Sequence, residues 1–233
     1  MNQIILGDCL EKMKDIPDNS IDLVVTDPPY LIDYKTNYRI DKNHRFNKPI
    51  MNDSNPQLIS DIIKELYRVM KDNTAMYMFC SADKVDFFKN ELEKYFKIKN
   101  MVIWVKNNWT AGDLKGAYGR QYEIIFLVNK GRSIINGKRL TDVWNFDRIS
   151  GKKQLHQNEK PLELIKQCIE KHSNEGDMIL DPFAGSGTTG VACKNLNRNY
   201  ILIEKEPKYY DLMKDRIESQ TTLDTITEIP KYS

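Results

Sequence analysis

Short apolar runs alternate with longer stretches of helical periodicity along most of this chain, and no other feature constrains the fold as strongly. Ile21-Asp22-Leu23-Val24-Val25 is rich in β-branched residues and is ended by Asp27-Pro28-Pro29, the pattern of a buried strand. Asn55-Pro56 then opens a helix with Leu58, Ile62, Leu66 and Val69 on one face. Strands are predicted over 75–80, 101–105 and 124–128, with Val85, Phe88, Leu92 and Phe96 at helical spacing between the first two. Further on, Pro161 opens a helix that places Leu162, Ile165, Cys168, Ile169 and His172 on one side and meets its stop at Gly176. A strand over 178–180, a helix over 188–196, a strand over 200–203 and a helix over 209–217 complete the series. This order predicts an α/β fold, a doubly wound and mostly parallel sheet covered on both faces. The 233 residues suit one domain, 1–233, and contain no internal repeat.

Composition narrows the class further. With 40 % hydrophobic and 29 % charged residues, collagenous, low-complexity and wholly disordered chains are excluded. No apolar run approaches the roughly 18 residues needed to cross a bilayer, and the first residues lack the basic flank of a signal peptide. The expectation is a cytoplasmic protein with no membrane partner. Cys9, Cys80, Cys168 and Cys193 show neither metal-ligand spacing nor a disulfide framework, so reduced thiols and no metal are expected.

The net charge is only +2, but it is unevenly distributed. Residues 31–50 carry five Lys or Arg against two Asp, and residues 106–155 carry ten against four acids. These segments are either faces for a polyanion or solvated loops. They overlap the two stretches that resist the alternation, 31–54 and 107–122, and long irregular loops in a compact domain are commonly functional or disordered.

Two constellations carry chemistry. Asp181-Pro182-Phe183-Ala184-Gly185-Ser186-Gly187-Thr188-Thr189 follows a strand and opens a helix, where glycines let the backbone turn tightly and approach a ligand. No Lys follows Gly187, which disfavours a triphosphate-binding loop, whereas Gly185, Gly187 and Gly190 match the dinucleotide spacing. Glu204, ending the next strand, suits a ribose; the loop is either a nucleoside-type site or a structural turn. The second constellation is Thr26-Asp27-Pro28-Pro29-Tyr30. Its prolines extend the backbone and remove two donors, leaving carbonyls beside the Asp27 carboxylate as acceptors for an amino group. Tyr30 offers a face on which a planar base would stack, worth on the order of 1–3 kcal/mol. Asp-Pro-Pro is also an ordinary turn sequence.

Together, Asp27-Pro28-Pro29-Tyr30 and the 181–189 loop resemble the signature motifs of amino-group DNA methyltransferases, which use S-adenosylmethionine. With the catalytic motif first and the cofactor loop late, the order resembles the permuted β class of bacterial and phage modification enzymes. The resemblance runs from Gly7-Asp8-Cys9-Leu10 to about Ile217. His156-x-x-x-Lys160-Pro161 resembles the segment before the cofactor loop, with Gln157 where Pro is common. Tyr200-Ile201-Leu202-Ile203-Glu204 resembles the ribose-binding strand, with Leu202 where Gly is frequent.

This resemblance implies a circularly permuted, Rossmann-like methyltransferase fold with a small target-recognition insertion. It implies that Glu204 holds the cofactor ribose, that Asp8 and Cys9 meet the adenine, and that Phe183, Ala184, Gly185, Ser186, Gly187 and Thr188 wrap the methionine part. Asp27, Lys160, Pro161 and Asp181 border the same pocket. Asp27 and the Pro28 carbonyl are expected to accept the two N–H bonds of a base amino group while Tyr30, set by Pro29, stacks the ring. No Pro-Cys dipeptide is present to supply the nucleophile of a carbon methylase.

The substrate implied is double-stranded DNA with the target base flipped out of the stack. Residues 107–155 are expected to form the target-recognition region, with Lys106, Lys115, Arg120, Lys138 and Arg139 as phosphate contacts, and 31–54 a mobile loop closing over the base. Trp104, Trp109 and Trp144 are expected core anchors. His44, His172 and the tail 219–233 carry no assignment. Asp before Pro-Pro-Tyr favours adenine N6 in a restriction-modification context; cytosine N4 is the nearest rival, ahead of RNA or protein-amide methylation. A non-catalytic nucleic-acid-binding module and an NAD-dependent dehydrogenase are more distant. A homodimer and an associated restriction endonuclease complete the expected partners.

Overall fold

The computed structural model describes residues 2–31, 55–109, 115–149 and 159–226. The expected loop over 31–54 therefore lies, beyond Leu31, outside the described residues, as do 110–114 and 150–155 of the expected recognition region, His44 and His156.

The elements follow in the order β1 (Gln3–Leu6), α1 (Cys9–Met13), β2 (Ile21–Thr26), α2 (Pro56–Val69), β3 (Met70–Cys80), a 3-10 turn (Ala82–Lys84), α3 (Val85–Glu93) and β4 (Lys97–Val105). Then come β5 (Tyr122–Lys130), β6 (Val143–Asn145), α4 (Leu162–His172), β7 (Met178–Asp181), α5 (Thr188–Asn195), β8 (Asn199–Glu204) and α6 (Pro207–Ile226). The strands form one sheet in the order β1-β8-β7-β2-β3-β5-β4-β6. All neighbours pair in parallel except β5, which runs against both β3 and β4. The mostly parallel, doubly wound sheet expected from the sequence is present.

Side chains alternate across each strand, so β2 sends Val24 to one core and Leu23 and Val25 to the other. On the first face Met13, Ile59, Ile62, Leu66, Phe88 and Leu92 bring α1, α2 and α3 onto the sheet. On the second, Ile165, Cys168, Val191, Met213 and Ile217 do the same for α4, α5 and α6. Each fully buried aliphatic side chain contributes roughly 1.5–3 kcal/mol. Helix α2 shows how sequence sets such an element. Asn55 caps it by accepting from the Leu58 amide at 3.3 Å, Pro56 supplies a preset first turn, and Arg68 in the last turn donates to the carbonyls of Met13 and Ile16.

The structure adds four short elements that the apolar pattern did not mark: β1 and α1 at the start, the 3-10 turn after β3, and β6 at the sheet edge. It also moves the end of α4. Ser173, in extended backbone with its hydroxyl donating to the Ile169 carbonyl at 2.7 Å, terminates the helix, and Gly176 (φ +84°) forms the turn into β7. Trp104 and Trp144 are buried and donate to the carbonyls of Phe146 and Thr141, whereas Trp109 is 68 % exposed and anchors no core. His172 is a core residue bonded to the Tyr77 hydroxyl at 2.7 Å, and burial lowers its pKa to about 4. All four cysteines are buried free thiols. Among the described residues no helix is long and apolar enough to cross a membrane.

Chain connections run outward in opposite directions from the pair β7 and β2: from β7 to β8, and from β2 to β3. A crevice opens at the carboxyl ends of strands where the order reverses in this way, and ligands of doubly wound sheets bind there. Asp181 ends β7 and Asp27 follows β2, so both predicted motifs meet at this crevice.

Candidate active site

The glycine loop is a braced turn. Gly185 and Gly187 take φ of +52° and +80°, values that side chains rarely adopt, and a Cβ on Gly187 would lie 2.6 Å from Met213 Cγ. Gly190 lets α5 pack on Leu202 and Ile217. Asp181 accepts from the Phe183 amide at 3.1 Å and from the Thr189 hydroxyl at 2.6 Å. Burial outweighs these bonds and raises its pKa from the ordinary 3.8 to about 7. Glu204 reaches across from β8, accepting from the Gly185 amide at 2.9 Å and the Glu206 amide at 2.8 Å; burial pushes its pKa up as well. Asp8 caps α1 through the Leu10 amide and pairs with Lys205 at 3.0 Å.

Arg216 on α6 braces the loop from behind. It donates to the Ser186 carbonyl at 3.1 Å and the Thr188 hydroxyl at 3.2 Å, and pairs at 2.8 Å with Glu159, whose side chain is 2 % exposed. Sequence reasoning missed both partners. They lie far apart in the chain, and Glu159 occupies an unspecified position of the His156-x-x-x-Lys160-Pro161 segment.

Across the crevice, Pro28 is buried and Asp27 sits at the centre of a charged cluster. Lys160 Nζ lies 2.5 Å from Asp27 Oδ2 and 3.3 Å from Glu123 Oε2, and Tyr30 donates its hydroxyl to Asp27 Oδ1 or, at 3.1 Å, to Glu123 Oε2. Lys106 Nζ closes the group 2.5 Å from Glu123 Oε1. Lys160 also lies over the rings of Phe79 and Tyr30, 5.1 and 5.4 Å from their centroids. Burial raises the pKa of Asp27, Lys160 opposes that shift, and Glu123 adds to it. Burial acts likewise on Glu123, but the Lys160 and Lys106 ammoniums outweigh it and hold that carboxyl near 2. Leu31, at φ +60°, turns the backbone immediately after Tyr30, a strained conformation of the kind found at functional sites.

The predicted site residues thus divide between two walls. Lys160, expected beside the cofactor, bonds Asp27, while Pro161 caps α4 next to it. Lys106 is turned into the cluster and Arg120 forms a two-pronged pair with Asp83, so these two are engaged within the protein, whereas Lys115, Lys138 and Arg139 are exposed. Lys130, another cation of the basic segment, is buried on the carbonyls of Tyr67 and Met70. Glu123 was not anticipated; its only signal is an acid standing at the mouth of the apolar run 124–128. Cys9 lies buried behind Asp8, and its thiol, like that of Cys80 near Asp27, is pushed up to about 12 by burial, which disfavours a thiolate nucleophile.

Comparison with known proteins gives the family. The N6_N4_Mtase family model, DNA methylase, matches residues 21–215. The chain is 30 % identical to the type II methyltransferase M.HpaI of Haemophilus parainfluenzae over 94 % of its own length and 74 % of the relative's. It is 28 % identical to the DNA adenine methyltransferase YhdJ of Escherichia coli over 92 % of its length and 82 % of that protein's. Its structure superposes on that of the M1.HpyAVI–SAM complex with a TM-score of 0.72 at 30 % identity, covering 93 % of this chain and 99 % of the other. The PvuII cytosine-N4-specific DNA methyltransferase shares the fold, with a TM-score of 0.73 at 17 % identity over 94 % and 90 % of the two chains. The protein belongs to the N6/N4 family of DNA methylases.

Proposed function

We propose that this protein transfers a methyl group from S-adenosylmethionine to the exocyclic N6 of adenine in duplex DNA. The observation that carries the reading is the meeting of the Asp27-Pro28-Pro29-Tyr30 segment with the 181–189 loop at the crevice between β2 and β7. Three carboxylates, Asp27, Asp181 and Glu204, stand at the ends of neighbouring strands. That acceptor-rich rim fits a cationic ligand bearing hydroxyls, and S-adenosylmethionine is such a ligand.

When bound, the cofactor supplies a methyl group made electrophilic by its sulfonium. Glu204, oriented by the Gly185 and Glu206 amides, has lone pairs left to accept ribose hydroxyls. Asp181 faces the same end as a partner for positive charge, with Asp8 and Phe183 bordering the pocket. On the other wall, Asp27 and the Pro28 carbonyl accept the amino hydrogens of the flipped base, directing its lone pair toward the methyl group, while Tyr30 holds the ring. Asp27 also stabilises the positive charge that develops on nitrogen, and the proton is lost afterwards without a covalent intermediate.

The recognition role of 107–155, with Lys115, Lys138 and Arg139 at phosphates, and the closing role of 31–54 are part of this proposal. So are a bacterial or phage cytoplasmic setting, a homodimer tested by sedimentation, and an associated restriction endonuclease tested by co-purification. Adenine is preferred because Asp precedes Pro-Pro-Tyr, and the adenine activity in YhdJ's name supports it. The decisive experiment supplies labelled S-adenosylmethionine and mixed-sequence duplex DNA, then identifies the methylated nucleoside by mass. N6-methyladenine is expected; N4-methylcytosine would keep the site chemistry and replace the base.

A further inference from the structure

An incoming amino group must share Asp27 with donors already in place, because Lys160 bonds one of its oxygens and the Tyr30 hydroxyl the other. Both of these groups already touch a second acceptor. Glu123 Oε2 stands 3.3 Å from the Lys160 ammonium and 3.1 Å from the Tyr30 hydroxyl, so a movement of under an ångström in either donor exchanges carboxylates. Glu123 is itself fixed by Lys106 at 2.5 Å, at the start of β5, whose following residues are buried. The cluster holds two carboxylates and two ammoniums, so the exchange leaves no net charge buried.

We infer that Glu123 is a positioning residue: it receives the Lys160 ammonium and the Tyr30 hydroxyl when the target amino group claims Asp27, and returns them when product leaves. This rests on the reading of Asp27 as the acceptor of that amino group. No bond is made or broken; two hydrogen-bond donors change partner. Without the Glu123 charge, Lys160 leans more heavily on Asp27 in a desolvated place, and the base must compete with a buried ion pair.

A double-mutant cycle between Glu123 and Lys160 tests this, using tritiated S-adenosylmethionine and mixed-sequence duplex DNA. In the parent background, Glu123→Gln is expected to lower kcat about thirtyfold with the KM for S-adenosylmethionine within about twofold. With Lys160→Met already present, the same change is expected to alter kcat by less than about threefold, because the ammonium it must accommodate is gone. Glu123→Asp, which keeps the charge, should restore most of the rate, and it serves for the cycle if the Gln variant does not fold. Equal factors in the two backgrounds overturn the inference, as does a cofactor KM that rises in step with the loss of kcat. Absence of transfer by the parent protein overturns the reading of the site itself, and is seen before any variant is made.

Discussion

The two walls of the crevice handle charge in opposite ways. On the cofactor wall each charged group has one arrangement: Glu204 is fixed by two backbone amides, Asp181 by an amide and a hydroxyl, and Arg216 is tied to Glu159 and the Ser186–Thr188 turn. On the target wall two donors have a choice of acceptor: Lys160 and Tyr30 each lie between Asp27 and Glu123. A backbone-built cradle is pre-organised and suits a ligand that is the same at each turnover. A side-chain network with duplicate acceptors suits a base that must enter and leave.

The strongest test of this contrast is on the target wall. Asp27→Asn should lower methyl transfer by about 10²–10³-fold while cofactor binding, measured by calorimetry, stays within a few-fold of the parent. A matching loss of cofactor affinity would erase the division between the walls. The reciprocal change, Glu204→Gln, should weaken cofactor binding about ten- to a hundredfold by removing a charged acceptor. Its kcat at saturating cofactor should change little, and a collapse of kcat instead would again merge the two walls.

Rigidity of the cradle has its own measure. Arg216→Met removes the cation beside buried Glu159 and should cost about 3 kcal/mol. In a chain of this length that lowers Tm by roughly 6–12 °C, and cofactor should recover part of the loss. A Tm within a degree of the parent would mean the loop needs no brace. The smallest effect concerns Asp181, whose pKa rises from 3.8 to about 7 on folding. Between these values the native state holds a proton that the unfolded chain has released, so stability falls as pH rises through this window and levels off above 7. Asp181→Asn should remove that slope, gaining on the parent by on the order of 5–10 °C in Tm between pH 5 and pH 8. Parallel pH profiles would show that Asp181 is solvated in the free protein.

Features of the cofactor wall were legible in the sequence because they are contiguous. Gly185, Gly187 and Asp181 lie within one turn, and Glu204 ends a strand that periodicity marks. Asp27 stood out only in company with that loop, because Asp-Pro-Pro by itself is also an ordinary turn sequence. What could not be read was pairing between distant segments: Tyr30 meets Glu123 across 93 positions and Asp27 meets Lys160 across 133. A surplus of lysine and arginine over 106–155 suggested an outward-facing surface, yet Lys106, Arg120 and Lys130 each neutralise or bridge protein groups. Counting charges along a segment does not tell which of them fold inward. Strands β1 and β6 escaped notice because four- and three-residue edge pieces are too short to show a period.

Reversal of a single strand has a consequence of another kind. Because β5 runs against β4, the end of one and the start of the other arrive together beside Asp27, joined by the Lys106 amide to the Gln121 carbonyl at 2.8 Å and by the Lys106–Glu123 ion pair. Whatever is inserted between those two positions is clamped at its base. Loop closure becomes only slightly costlier with length, about 0.6 kcal/mol for each doubling. A chain built this way can therefore lengthen or replace the intervening segment without rebuilding the sheet or moving Asp27.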